Sequence, residues 1–223
     1  MCVSGRNEEP GRRRPLVVGV VGESGSGKTV VLQMLRALGA AIIEADAVAR
    51  DVVAPGSAVL QAITDAFGAG FVRRDGSLDR KALGRVVFGD DEARRKLNAL
   101  THPAMLARIR AEIRELAGGE CGPEVVALEA AVLGEMGALE LVDALIMVRA
   151  PRAVRLQRIR QRDGLSAEDA EARLAAQEQA RLGELEADFV VDNAGSLTAT
   201  RQQVQAVWGR LMAARPRGRR TAS

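Results

Sequence analysis

The sequence predicts an α/β protein: a parallel sheet with helices on both faces. Three observations predict it. The run Leu16-Val17-Val18-Gly19-Val20-Val21 is apolar throughout and rich in β-branched residues, the pattern of a strand buried on both faces. Similar short runs recur along the chain, separated by longer helical segments, and strands separated by helices pair in parallel. With 223 residues, 47% of them hydrophobic, the chain is long enough to bury one such sheet.

The elements follow in order. Residues 1–14 read as a leader without fixed structure. A glycine loop follows the first strand and opens the helix Thr29–Leu38, which Gly39 ends. Ala41–Glu44 is a second strand, and Asp46–Val53 a helix running into Pro55-Gly56. Residues 57–120 are mostly helical, broken at Val72–Leu78 by the turn signal Arg73-Arg74-Asp75-Gly76-Ser77. Asp79 is placed to cap the next helix, and His102-Pro103 is expected to interrupt the charged stretch from Asp91 to Ala117. Glu124–Glu129 and Asp143–Arg149 are further apolar strands. Pro151 sits at the N1 position of a helix ending near Asp163-Gly164. Ser166-Ala167-Glu168-Asp169 has the form of a capping box, with Asp in the place of Glu or Gln. Phe189–Val191 is a last strand and Leu197–Ala213 a last helix. The expected division is a leader at 1–14, one domain over 15–209, and a basic tail at 210–223. Within that domain, 57–120 is a helical insert and 151–183 a lid.

Composition narrows the partners. The net charge of +3 sits at the ends: residues 1–14 have a surplus of two bases and residues 209–223 a surplus of five, so the body carries four more acids than bases. A basic nucleic-acid face is therefore not expected, and tails in solvent are the expected reading. Four Phe, one Trp and no Tyr leave few platforms on which bases could stack. The cysteines, Cys2 and Cys121, form neither a disulfide framework nor a metal cluster and suit a reducing compartment. The polar start does not resemble a secretory signal, and Leu16–Val21 is too short to span a bilayer, so a cytosolic protein without membrane contact is expected.

The chemistry starts at Gly22-Glu23-Ser24-Gly25-Ser26-Gly27-Lys28-Thr29, which matches G-x-x-x-x-G-K-[ST] in full. It lies directly after a buried strand and at the mouth of a helix, as a phosphate-binding loop requires. Glycines let the backbone curl so that successive N–H groups face phosphate oxygens, and the helix N-terminus adds its positive end. Lys28 is placed to reach the β- and γ-phosphates, and the Thr29 hydroxyl to ligate Mg²⁺. From average residue usage, one such pattern arises by chance in about 1% of chains this size. A P-loop NTPase-type sheet follows. No Asn-Lys-x-Asp guanine-reading motif and no Leu-Ser-Gly-Gly-Gln transporter signature is present, and the size and the Arg-rich helix favour a small kinase.

Over nearly all of residues 16–208 the chain resembles the dephospho-CoA kinase family. Ile43-Glu44-Ala45-Asp46-Ala47-Val48-Ala49-Arg50 is similar to its "IDAD-x-IAR" segment, and Leu78-Asp79-Arg80-Lys81-Ala82-Leu83 through Phe88 to its "LDR-x-AL…F" helix. Leu97–Pro103 resembles "L-x-x-L-x-HP". Arg158, Arg162-Asp163-Gly164-Leu165-Ser166, Arg173 and Gln177 follow the lid, and Ala187–Asn193 with Gly195 resembles "AD-hydrophobic-IDN-x-G". Two departures bear on the site: Glu44 stands where the family usually has Asp, and Glu129-Ala130-Ala131-Val132-Leu133-Gly134-Glu135 lacks the Pro and Phe of "D-x-PLLFE".

The resemblance implies transfer of a phosphoryl group from ATP, with Mg²⁺, to the ribose 3′-hydroxyl of dephospho-CoA. It makes Asp46, just past a strand end, the residue that accepts the hydroxyl proton and aims the oxygen; the alternative is a helix N-cap. Arg158 and Arg162, four apart, and Arg173 on the next helix are lid cations for the phosphates, against the alternative of a solvated basic face shared with Arg152, Arg155 and Arg160. His102, in a turn implied to lie against the CoA moiety, and Arg80 are candidates for the acceptor. Asn193 is a candidate for adenine or a turn former, and Glu129 for holding Mg²⁺ through water. The open alternatives are another small-molecule or nucleotide kinase on the same scaffold, or a non-catalytic nucleotide-binding regulator whose tails meet RNA. Oligomeric state is not encoded in these motifs.

Overall fold

The protein is described here from a computed structural model. It describes residues 14–119, 122–129, 134, 136–179 and 186–214, with backbone only at 173 and 176–179. Both cysteines, residues 130–133 and 135, most of the leader, and the chain from 215 onward lie outside the described residues.

Among the described residues five parallel strands form the centre: β1 (Leu16–Val21), β2 (Ala41–Glu44), β3 (Val125–Glu129), β4 (Ala144–Arg149) and β5 (Phe189–Asp192), in spatial order β2-β3-β1-β4-β5. β1 is central because its run is apolar on both sides, and all its residues but Leu16 are buried. The register pairs Val18 with Ala127 of β3 and Ala144 of β4. All five carboxyl ends therefore lie along one edge, where the chain reverses strand order and ligands bind in open sheets of this kind.

Among the described residues the α-helices are α1 (Lys28–Ala37), α2 (Ala45–Asp51), α3 (Ala58–Phe67), α4 (Arg80–Gly89), α5 (Asp91–Gly118), α6 (Arg152–Asp163), α7 (Ala167–Gln179) and α8 (Leu197–Ala214); α1 and α8 cover one face of the sheet, α2 and α5 the other. Alternation along the strands sorts the core. Val18, Val20, Ala127, Ile146 and Val148 pack with Leu35 of α1 and Val204, Val207 and Leu211 of α8. Val21, Val126, Leu128 and Leu145 pack on the other face with Val48 of α2 and with Met105 and Ile109 of α5. A smaller core of Leu60, Ile63, Leu78 and Leu83 joins α3 and α4 to the first turns of α5. Ile159, Ala170 and Leu174 hold α6 to α7.

The caps follow sequence chemistry. Asp79 Oδ1 accepts the Ala82 N–H at 2.9 Å, opening α4. Ser166 Oγ accepts the Asp169 N–H at 3.0 Å and donates to its carboxylate at 2.7 Å, so the reciprocal bond goes to the hydroxyl rather than to the Ser166 N–H. The turn after Val72 is closed by an antiparallel bridge from Val72 to Leu78.

His102-Pro103 does not interrupt the helix. α5 runs unbroken for 28 residues with Pro103 inside it. An interior proline costs about 3 kcal/mol through one lost hydrogen bond and a clash. Here both flanks are anchored: Leu97 and Leu100 in the α3/α4 core, Met105 and Ile109 in the sheet core. Burial of two separate faces outweighs one unfavourable residue. Pro151 is the N-cap of α6 rather than its first helical residue. The last helix, expected over Leu197–Ala213, is α8 and ends at Ala214, so residues 210–214 belong to it rather than to a tail, and Arg210 stacks 4.9 Å over the Phe189 ring. Arg14, in the expected leader, donates to Asp143 at 3.0 Å. Among the described residues no helix is long and apolar enough to cross a membrane.

Ile109 is fully buried where α5 meets the sheet. Ile109→Ala is expected to remove about 2–5 kcal/mol of unfolding free energy, read by urea titration. A loss below about 1 kcal/mol would show that α5 does not depend on this contact.

Candidate active site

The loop from Gly22 to Thr29 leaves the carboxyl end of β1, the central strand, and feeds α1. Its sharp curl requires glycine at two places: Gly25 has φ +76 and Gly27 φ +94, values that side chains with a Cβ rarely adopt. The Ser26 N–H closes a turn onto the Glu23 carbonyl at 3.1 Å. Among the described residues the N–H groups of Gly25, Gly27, Lys28 and Thr29 have no backbone acceptor. Four orphan donors at a helix N-terminus are an anion site. Lys28 lies back across the loop, its Nζ 2.9 Å from the Gly22 carbonyl oxygen.

A cleft of about 1100 Å³ opens over this loop. Gly22, Glu23, Ser24, Gly25, Gly27, Lys28 and Thr29 line it; Asp46, Arg50, Glu129, Arg158 and Arg162 face it from α2, β3 and α6. Ser26 does not: it is 1% exposed and turned into the loop. Burial pushes the Lys28 ammonium below its usual range, Glu129 and Asp46 draw it back up, and Arg162 pushes it further down. Burial pushes the Glu129 carboxyl up; Lys28 opposes this, and Asp46 and Glu44 add to it. Lys28, Glu129, Asp46 and Arg162 therefore lie within Coulomb reach across one cleft.

Asp46 is not the N-cap of α2. That position is Glu44, which makes no capping bond, and Asp46 occupies the first turn, exposed to the cleft with no hydrogen bond among the described residues. Arg50 follows one helical turn later. Arg80 reaches over from α4 and donates to the Ala49 carbonyl at 2.8 Å; burial and Arg50 lower its pKa while Asp46 raises it. Arg80 thus lies within Coulomb reach of both Arg50 and Asp46.

Three arginines of α6, at 155, 158 and 162, point to the loop side. Arg155, grouped above with residues of a solvated basic face, is 2% exposed and paired with the Glu23 carboxylate. Arg158 donates through Nη1 to the carbonyls of Gly25 and Ser26 at 3.3 and 3.2 Å, and through Nη2 to that of Asn193 at 2.9 Å. Arg162 lines the cleft but lies on its neighbour: Nε and Nη2 meet the two Asp163 oxygens at 2.7 and 2.9 Å, which raises its pKa. The Arg173 side chain lies outside the described residues. Asn193 is 2% exposed, behind the loop, its amide on the Ser26 carbonyl at 2.8 Å. His102 lines a second cleft of about 620 Å³ with Arg94, Arg95, Asn98, Leu106 and Met136; the two clefts share no lining residue.

Sequence reasoning assigned no role to Arg50, Arg155 or Thr200. The i, i+3, i+7 spacing of 155, 158 and 162 places them on one helix face and was the available signal for Arg155. Arg50 lies four residues after Asp46. Thr200 lies outside every motif read above, and its contact with Asn193 appears only in the fold.

The family model for dephospho-CoA kinase matches residues 16–199. The chain belongs to the dephospho-CoA kinase family. Among curated relatives, dephospho-CoA kinase of Anaeromyxobacter dehalogenans is 45% identical over 180 residues, 81% of this chain and 84% of that one. The Moorella thermoacetica enzyme is 44% identical, covering 87% and 92%. Among solved structures, a Thermus thermophilus protein superposes with a TM-score of 0.70 at 32% identity over 89% of this chain and 99% of its own. The dephospho-CoA kinase of Campylobacter jejuni gives 0.63 at 29%, over 87% and 96%. Shikimate kinase of Acinetobacter baumannii, at 15% identity and a TM-score of 0.50, shares the fold. Family membership makes this chain a kinase of the P-loop fold, acting in coenzyme A biosynthesis.

The Glu129 shift has a consequence for stability. A carboxyl whose folded pKa is raised costs nothing below its unfolded pKa, and its full cost is present above the folded one. In nucleotide-free and Mg²⁺-free protein, Glu129→Gln is expected to raise the melting temperature more near about pH 8 than near about pH 4. An equal gain at both values, or a loss at the higher one, would contradict the burial of that charge.

Proposed function

We propose that the chain transfers the γ-phosphoryl group of Mg-ATP to the ribose 3′-hydroxyl of dephospho-CoA, giving ADP and CoA. The observation that carries the assignment of roles is the joint placement of Lys28, Asp46 and Glu129 in one cleft with four orphan amides.

The amides of Gly25, Gly27, Lys28 and Thr29 bind phosphate oxygens, and Lys28 leaves the Gly22 carbonyl to reach the β- and γ-phosphates. Thr29 Oγ1, with Glu129 through water, would hold Mg²⁺ in the cleft that both residues line. Both donors are hard oxygens, the kind Mg²⁺ takes, and phosphate oxygens of the nucleotide would supply further ligands. When bound, the ion supplies charge neutralisation at the transferring phosphoryl group.

Asp46 receives the 3′-hydroxyl proton and orients that oxygen in line with the γ-phosphorus. It is suited to this because no cap bond occupies its carboxylate. Arg80 and Arg50 meet the acceptor's diphosphate. Arg162 exchanges the Asp163 carboxylate for the transferring group when the lid closes, and Arg173 joins it from α7. The His102 cleft takes the far end of the acceptor. Because phosphoryl transfer is loose, placement and charge carry most of the catalysis.

Lys28→Ala is expected to fold normally and to lose turnover by about a hundredfold or more in a coupled ADP-release assay. Retained activity would remove the loop from the reaction. Asp46→Asn is expected to keep both KM values within about threefold while kcat falls by about 10²–10⁴. A parental kcat would take Asp46 out of the chemistry.

A further inference from the structure

We propose that Thr200 and Asn193 are positioning residues for phosphate binding, acting with Arg158 to hold the peptide between Ser26 and Gly27 with its N–H toward the triphosphate. The inference rests on the reaction proposed above, and it adds residues that never touch the nucleotide.

The geometry starts at the Ser26 carbonyl. It accepts two hydrogen bonds from behind the loop, from Asn193 Nδ2 at 2.8 Å and from Arg158 Nη1 at 3.2 Å. A trans peptide is planar, with its C=O and N–H on opposite sides. Pinning the Ser26 oxygen outward therefore aims the Gly27 N–H the other way, into the ring of orphan amides. The same two bonds draw electron density toward that oxygen, which makes the N–H a stronger donor.

An amide side chain can present either its oxygen or its nitrogen; the Ser26 carbonyl, which only accepts, favours the nitrogen, and Thr200 reinforces that choice from the other end. Its Oγ1 lies 3.0 Å from Asn193 Oδ1 and donates to it, leaving Nδ2 for Ser26. The hydroxyl also lies 3.3 Å from the Ser196 carbonyl, one helical turn back, so a single proton is shared between two acceptors. Thr200 and Asn193 are 0% and 2% exposed, so water does not compete for these bonds. The backbone around them is held as well. The Asn193 N–H donates to the Arg149 carbonyl at 2.8 Å, and the Gln203 amide brackets the Asp192 main chain at 2.9 and 2.8 Å. The approach is close enough to dictate Gly27: a Cβ there would lie 2.0 Å from Asn193 Nδ2. A buried chain thus runs from α8 through the loop after β5 to one peptide of the phosphate site.

The test is a series at Thr200 with a second variant at Asn193. Thr200→Val keeps the shape and removes the donor. It is expected to raise the KM for ATP about tenfold and to lower kcat, with the KM for dephospho-CoA within about twofold of the parent. Thr200→Ser, which keeps the hydroxyl, restores both ATP parameters. Asn193→Asp, the same size with an oxygen facing the Ser26 carbonyl, is expected to lose more than Thr200→Val. General damage to the fold would lower the active fraction, and with it kcat, while leaving both KM values alone. The proposal is overturned by a parental KM for ATP in Thr200→Val, by a loss confined to kcat, or by a Ser variant no better than Val. Calorimetric titration of the same variants with Mg-ATP keeps the test independent of the acceptor. A parent that binds Mg-ATP but does not phosphorylate dephospho-CoA refutes the reaction, whereas equal Mg-ATP affinity in parent and Thr200→Val refutes the brace.

Discussion

Peptide N–H groups that have no acceptor of their own organise this molecule. Between β1 and α1 the backbone gives up hydrogen bonds it would make in any regular element, and those bonds become available to an anion. The rest of the fold holds that unfavourable arrangement in place. β1 is buried between β3 and β4, so the start of the loop cannot move. α1 packs on the sheet through Leu35, which is fully buried, so its end cannot move either. α6 lies against the loop through Arg155 and Arg158.

Charge repeats the theme. Burial weakens the ionised forms of Lys28 and Glu129, and each partly restores the other. Such a pair is a poor contributor to stability, because desolvation offsets most of the attraction. It is a good arrangement for receiving a polyanion and a divalent cation, whose charges complement those of Lys28 and Glu129. Stability is lower at the place where binding will supply the missing interactions.

Much of this was legible in the residues. The strand, loop and helix around Gly22–Thr29 are local: each depends on neighbours within a few positions, and apolar runs, glycines and caps record such needs directly. Asp46 and the α6 arginines were legible as candidates, though not their partners. Arg155 read as a surface base, and the fate of Pro103 was missed. Propensity alone ends a helix at that proline, whereas two distant cores, one on each side of it, keep α5 continuous. Asn193 read as a residue near the base; in the fold it is buried behind the loop, between the Ser26 carbonyl and Thr200, which no motif contains.

By itself the sequence determined the alternation of strands and helices, the phosphate loop and the resemblance to the family, because periodicity, glycine placement and motif spacing are short-range properties of the chain. Tertiary structure alone decided which charges share a cleft, which arginine is buried on Glu23 and which lies on Asp163, and which side chains hold the loop from behind. Those outcomes depend on desolvation and on contacts between residues as many as 167 positions apart, such as Asn193 and Ser26. No local pattern encodes such a distance; only closure of the sheet brings the groups together.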